Sequence, residues 1–307
     1  MKNFWFWIIV GVAVVVVIVA VIISNMIIYK GGSFLSLTDK YIGIVKIEGS
    51  IYDSRDIINQ IKKYRRNDAV KGIVVRINSP GGGVSPTQEI VYELEKTRKE
   101  RNIPIYCSMG SIAASGGYYI ATACDEIYAN PGTLTGSIGV IISLADVSEL
   151  IAKIGFKMNV IKSGEFKDTG SMFREMSDDE RKLLEGLVDD IYNQFVEAVV
   201  EGRSDILKKK LGVNKEDKVR EYILKYADGR VFSGRQAEEY GFIDELGTLS
   251  ECIDACAKEA GIEGKPKVIF PKKPRGLLDI LVGENTLSPI KDRLEQTPSV
   301  EYMFRIF

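Results

Sequence analysis

The chain has 307 residues, 45% hydrophobic and 27% charged, enough apolar content to bury a sizeable core and too much for intrinsic disorder. Its 41 basic and 42 acidic side chains nearly cancel, so no overall positive field exists to hold a nucleic-acid backbone, and nucleic acid is not an expected partner. There is no histidine, and the four cysteines (Cys107, Cys124, Cys252, Cys256) are too sparse for a disulfide framework or an ordinary zinc site, so no metal and no other cofactor is expected.

In chain order, Phe4 to Tyr29 ("FWFWIIVGVAVVVVIVAVIISNMIIY") comes first, an apolar run long enough to cross the ~30 Å hydrocarbon core as a helix. Trp5, Trp7 and Tyr29 stand near its ends, where interface aromatics sit, and no A-x-A-like cleavage site follows. Residues 1–30 therefore read as an uncleaved anchor in membrane lipid, and residues 31–40 as a linker. Lys2, Lys30 and Lys40 flank the run on both sides, so the charge count does not orient it.

From residue 41 the pattern turns to strands alternating with helices, which predicts an α/β domain over 41–270. "YIGIVKIEGSI" and "GIVVRINS" read as strands around the helix "SRDIINQIKKYRR". After "SPGGGV" a helix is expected with Ser85 as N-cap, Pro86 at the first helical position and Gln88 closing a capping box. "IPIYCSM", "EIYAN", "SIGVII" and "MNVIKSG" read as further strands. Ser177 and Glu180 form a second capping box ahead of a stripe of Leu183, Leu184, Leu187, Val188, Ile191 and Phe195, read as core. Cys252 and Cys256, one helical turn apart, read as small apolar side chains on a buried face. The tail, 271–307, is proline-broken and ends in the extended apolar "SVEYMFRIF", for which packing on the domain surface and docking in a peptide groove are both open fates.

Two glycine-rich stretches carry candidate chemistry. In "INSPGGGVSPTQ" consecutive glycines lie between a strand and a helix, where backbone N–H groups can face an anion. The P-loop ending G-K-[ST] and the G-x-G-x-x-G spacing are both absent, which leaves a tight turn or an oxyanion hole. In "SMGSIAASGGYYIA" Ser115 is set among small residues at a strand-to-helix turn, an exposed position for a nucleophile, although Ser108 and Ser111 lie close by. A Ser-His-Asp triad is impossible without histidine. The base must then be a carboxylate or a lysine, and a lysine has to be lowered from its reference of ~10.4 toward 7 by burial, at a cost of roughly 4–5 kcal/mol. Lys162 and Lys167 in "NVIKSGEFKDTGSMF" are the two candidates outside obvious charged runs, and the residues alone leave them even.

Taken together, "NSPGGGV", "SMGSIAASGGYYIATACD", "PGTLTGSIGV", "IKSGEFKDTGSMFREMSDDER" and "ADGRVFSGRQAEEYGFIDELG" resemble the signal peptide peptidase A family of membrane-anchored Ser-Lys peptidases, in its half-length form. The resemblance spans roughly residues 40–260 and implies a ClpP/crotonase-like superhelix of repeated β-β-α units behind the N-terminal transmembrane helix. It implies Ser115 as nucleophile, Lys167 as general base, oxyanion donors at Gly82 and Gly116, and Ser137 as the hydroxyl that orients the lysine. It further implies peptide substrates, signal peptides and other apolar peptides, and a homo-oligomeric ring or dome, with an octamer as one candidate size. In such an assembly the serine and lysine of one site come from neighbouring protomers, and the catalytic domain lies on the extracytoplasmic side of the cell membrane. The charged stretch 204–226 is longer than in short relatives. Three alternatives are a stomatin-type membrane protease, a crotonase-like acyl-CoA enzyme and an inactive membrane scaffold on the same fold.

Overall fold

A computed structural model describes residues 39–271 and, as backbone, 301–303. The expected membrane span falls outside the described residues, among which no helix is long and apolar enough to cross a membrane. In chain order the elements are β1 (Tyr41–Glu48), α1 (Arg55–Arg65), β2 (Val70–Ser79), β3 (Gly81–Gly83), α2 (Val84–Arg101), β4 (Ile105–Ala114), α3 (Gly116–Ala121), β5 (Glu126–Ala129) and β6 (Leu134–Gly136). They continue with α4 (Ser148–Lys153), a 3-10 turn (Glu165–Asp168), α5 (Asp178–Leu211), α6 (Glu216–Leu224), β7 (Val231–Ser233), α7 (Gly234–Tyr240), β8 (Glu245–Leu246), α8 (Leu249–Glu259), β9 (Lys267–Ile269) and β10 (Glu301–Met303).

The main sheet runs β7-β6-β4-β2-β1-β9, with β5 paired to β4 and β8 to β5. All its pairings are parallel except β6–β7. β1 and β2 are near-continuous Ile and Val because helices cover both faces, as parallel sheets require. On one face Val45, Ile47, Ile73, Val75 and Ile77 meet Ile61 of α1, Ile90 and Leu94 of α2, and Phe195 and Val199 of α5. On the other, Ile42, Ile44, Val74 and Tyr106 meet Cys252, Ile253 and Cys256 of α8, so the two cysteines lie on a buried helix face as their spacing suggested. The mixed α/β organisation with a parallel sheet follows the sequence pattern.

Several local expectations are corrected. α2 begins at Val84 with Gly83 as its N-cap, not Ser85, because β3 runs directly into the helix. Gln88 closes no capping box and instead donates to Gln194 (2.9 Å). "SIGVII" and "MNVIKSG" form no strand; both lie between β6 and α5, and the first keeps only an isolated bridge at Ile141. The Ser177–Glu180 capping box is present in both directions, yet Leu183 and Leu187 behind it are 45% and 46% exposed. The stripe is core only from Phe195 onward, because the first turns of this 34-residue helix, ~50 Å long at 1.5 Å per residue, project beyond the sheet. At Gly202 the same helix passes so close to the end of α3 that an added Cβ would lie 2.1 Å from the Thr122 carbonyl oxygen. The charged stretch 204–226 is the end of α5 and α6, with Leu207, Val219 and Ile223 fully buried and Tyr222 and Tyr226 stacked into an aromatic group with Phe232, Tyr240 and Phe242.

Candidate active site

β4 changes partner midway, and that change builds the site. Its first half pairs with β5 (Tyr106 to Ser108) and its second half with β6 (Ile112 to Ala114). Between them the register against β2 slips, from Ile77 opposite Met109 to Ser79 opposite Ala113. The slack is taken up by side chains: Asn78 Oδ1 accepts the N–H groups of Ser111 (3.1 Å) and Ile112 (3.3 Å), Thr133 Oγ1 donates to Gly110 (2.6 Å) and Thr135 Oγ1 to Ala113 (2.7 Å). Sequence reading missed all three. Their only signal was proximity to the glycine motifs.

The bulged strand delivers Ser115 to the junction with α3. Ser115 is 1% exposed and sits at φ 54°, ψ −117°, a backbone region that L-residues rarely enter. Such strain persists only where surrounding structure enforces it, and it gathers at functional sites. Here the Ser115 N–H donates to Gly136 O (2.8 Å) and its carbonyl accepts from Tyr119 N–H (2.8 Å), while its hydroxyl does not cap the helix. Gly116, the first residue of α3, brings a first-turn N–H with no intrahelical acceptor. The other two serines separate from it clearly. Ser108 is a buried strand residue accepting from Arg76 (2.9 Å), and Ser111 is an exposed bulge residue.

Two neighbouring segments flank the junction. Gly136 and Ser137 both have positive φ (80° and 53°), and Ser137, 6% exposed, donates its N–H to Arg230 O (2.8 Å). The hydrogen bond from Ser115 to Gly136 therefore sets Ser137 beside the junction. On the opposite side β3 packs against α3. Ile51 N–H donates to Gly81 O (2.9 Å) and Gly83 N–H to Ile51 O (2.8 Å). Successive strand residues point their polar groups to opposite sides, so the N–H and C=O of Gly82 face away from Ile51. That free side is where β10 lies, antiparallel, with Tyr302 opposite Gly82.

Lys167 is not joined to this group. It lies in the 3-10 turn of the arm, exposed, and among the described residues no hydrogen bond links it to Ser115 or Ser137. Lys162, the other lysine candidate, is engaged: its ammonium donates to Asp168 Oδ1 (2.6 Å) and Glu165 O (2.7 Å). The arm also exposes Ile161, Phe156, Met158, Val160, Ile154 and Leu150, each at least 48% accessible.

The sequence profile described as peptidase family S49 matches residues 97–263. The Synechocystis sp. protein slr0021, which carries a protease name, is 37% identical over 272 residues, covering 88% of this chain and 93% of the relative. An Enterococcus faecium protein named for signal peptide peptidase SppA is 35% identical over 232 residues, and the match spans 76% of this chain but 63% of that relative. The chloroplastic serine protease SPPA of Arabidopsis thaliana is 31% identical, with the match covering 90% of this chain and 40% of the longer plant protein. A solved membrane-bound stomatin-specific protease with a substrate peptide aligns at a TM-score of 0.47 and 18% identity, over 83% of this chain and 100% of the other. By the extent of the profile match and of the slr0021 alignment, the chain belongs to peptidase family S49 and is a serine protease.

Proposed function

We propose that this serine protease cleaves signal peptides and similar apolar peptides with Ser115 as nucleophile and Lys167 as general base. The observation that carries the reading is the strained, buried Ser115 at the β4–α3 junction, facing a glycine strand whose outward polar groups are already shown pairing with an extended segment. A substrate takes the place of β10: added as an antiparallel strand on Gly81–Gly83, it brings its scissile carbonyl toward Ser115. The neutral amine of Lys167 removes the Ser115 proton, Oγ attacks the carbonyl, and the N–H groups of Gly82 and Gly116 hold the oxyanion. The resulting ammonium protonates the leaving amine, and a water activated by the same amine releases the acyl-enzyme. Ser137 orients the lysine.

A lysine serves as base only after losing its water, and in the single chain Lys167 is exposed among apolar side chains that are exposed too: Phe166 (46%), Met172 (39%) and Phe173 (38%). A second copy laid over the arm satisfies both demands. We therefore read the enzyme as a homo-oligomeric ring or dome in which the arm of one protomer supplies Lys167 to the serine of the next. In this reading residues 41–270 form the ClpP/crotonase-like peptidase domain, and residues 4–29 tether it to the membrane with the domain on the extracytoplasmic side. The signal-peptide substrate rests on the name of the Enterococcus faecium relative.

The test mixes two inactive proteins. Ser115→Ala and Lys167→Ala should each abolish hydrolysis of an apolar fluorogenic peptide, and co-assembly of the two should restore a fraction of it. Wild-type rates in Ser115→Ala alone would remove the nucleophile, and silence in a properly assembled mixture would remove the sharing between protomers.

A further inference from the structure

The arm that carries Lys167 has little of its own to hold it in place. The 3-10 turn is closed by two backbone bonds of 3.2 Å, from Lys167 N–H to Gly164 O and from Thr169 N–H to Phe166 O, and its side chains are exposed except that of Asp168. What ties it down is a chain of charges beginning at the residue after the lysine. Asp168 Oδ2 accepts from Arg174 Nε (3.0 Å) and Asp168 Oδ1 from Arg174 Nη2 (2.8 Å), a two-point grip, and Arg174 Nη2 also donates to the Asp168 carbonyl (3.3 Å). The same guanidinium turns its remaining donors on Glu180, reaching Oε2 from Nη1 (2.8 Å) and Oε1 from Nη2. Glu180 is in turn the capping-box residue of α5, accepting from the Ser177 N–H (2.9 Å), and its side chain is only 3% exposed.

We infer that Arg174 is a positioning residue for the reaction: by gripping Asp168 and Glu180 at once it fixes the turn that bears Lys167 to the N-terminus of α5. The planar fork of a guanidinium makes two parallel bonds to each carboxylate, so it sets an orientation where a lysine would set only a distance. α5 is a 34-residue helix whose later turns, from Phe195 to Leu207, are locked into the core. The grip therefore fixes the lysine to the rigid body of its own protomer, so that the assembly can present it at a set position to the serine of the next. Lys162 completes the network as a second cation on Asp168, which explains why that lysine is spent. A misplacement of about 1 Å in a reacting group costs on the order of 100-fold in rate, so a loose turn is sufficient to silence the site.

This inference rests on Lys167 being the base, and the experiment keeps the two apart. Full-length Arg174→Ala, Arg174→Lys and Lys167→Ala are assayed on a fluorogenic apolar peptide, with thermal melting and size-exclusion chromatography alongside. Arg174→Ala is expected to lose about 30-fold or more in kcat with KM changed less than about threefold and with wild-type melting and assembly. Arg174→Lys should fall between it and wild type, and millimolar guanidinium should restore part of the activity to Arg174→Ala and none to Lys167→Ala. If Lys167→Ala is active, the base assignment itself fails. If Lys167→Ala is dead while Arg174→Ala keeps its kcat, or loses activity only in step with its folded or assembled fraction, the positioning role alone is overturned. Should Arg174→Ala fail to fold, Arg174→Lys decides the question by the same kcat and KM criteria.

Discussion

Replacing Gly82 by alanine tests the oxyanion role through a clash that can be measured in advance. An ideal Cβ at Gly82 would lie 2.3 Å from the Ile51 carbonyl oxygen, 2.5 Å from its nitrogen and 2.7 Å from its carbonyl carbon. All three are backbone atoms, fixed by the bonds from Ile51 N–H to Gly81 O and from Gly83 N–H to Ile51 O, so no side-chain rotation relieves the contact. Against an ordinary contact beginning at 3.4 Å, the shortfall is about 1 Å, and β3 must retreat by that amount. Because the Gly82 N–H points away from Ile51, the shift carries it out of the position in which it would meet the oxyanion and crowds the substrate side. Loss of one such donor costs about 10²–10³ in kcat, or roughly 2.7–4 kcal/mol of transition-state stabilisation. Gly82→Ala should therefore lower kcat by about 100-fold or more, and raise KM as well, since the same strand pairs with the substrate backbone. Gly132→Ala, and Gly186→Ala in α5, each with nothing within 4 Å of the added Cβ, are the internal controls and should stay within a few-fold of wild type. Steady-state hydrolysis of one peptide by all three variants is sufficient. A correctly folded Gly82→Ala with kcat within about threefold of wild type would refute the assignment of that N–H.

Acid should loosen the arm. The Arg174 guanidinium, with the Ser177 N–H behind it, holds the Glu180 carboxyl down to about 2, from an ordinary 4.5, and Arg174 and Lys162 hold Asp168 well below the usual carboxylate range. Both are depressed carboxylates, so their stabilisation is complete above the unfolded value and drains away as pH falls from about 4.5 toward 2. Amide protection in residues 162–180, taken relative to intrinsic exchange at each pH, should fall across that window in wild type and fall less steeply in Glu180→Gln; an unchanged slope would count against the network. In the core, Arg203 is 1% exposed and donates to both oxygens of Asp244 (2.7 and 3.1 Å) and to the Gly241 carbonyl (3.2 Å). Asp244→Ala strands that cation and should cost about 3–5 kcal/mol in urea unfolding. A loss under about 1 kcal/mol would mean that water reaches Arg203.

The relation between sequence and site differs from residue to residue. Ser115 could be singled out because a serine amid Ala and Gly at a strand-to-helix turn is a local pattern, and the structure adds a backbone at φ 54° whose N–H donates to Gly136 O of β6. The holders of the β4 bulge were invisible. Asn78 acts on N–H groups more than thirty residues away in sequence, and no spacing rule links an asparagine near the end of one strand to a slipped register in another. The two lysines were even on composition, and the family resemblance chose Lys167; the structure adds that Lys162 is paired with Asp168. Ser85 and the leucines at 183 and 187 were misread for one reason. Helical periodicity reports an apolar face but not where the helix begins or what, if anything, lies across from it.

By itself, the sequence determined the chemical class of the answer. Alternating strand and helix patterns implied a parallel α/β sheet, and a chain without histidine but with serine and lysine in glycine-punctuated turns left few ways to cleave a peptide. Only the tertiary structure decided which groups meet. The Ser115–Gly116 junction lies beside Gly136 and against the glycine strand because β4 changes partners from β5 to β6, a long-range pairing that local propensity does not encode. The exposure of Lys167 on an apolar arm was decided there too, since burial depends on what packs against a segment rather than on the segment's own residues.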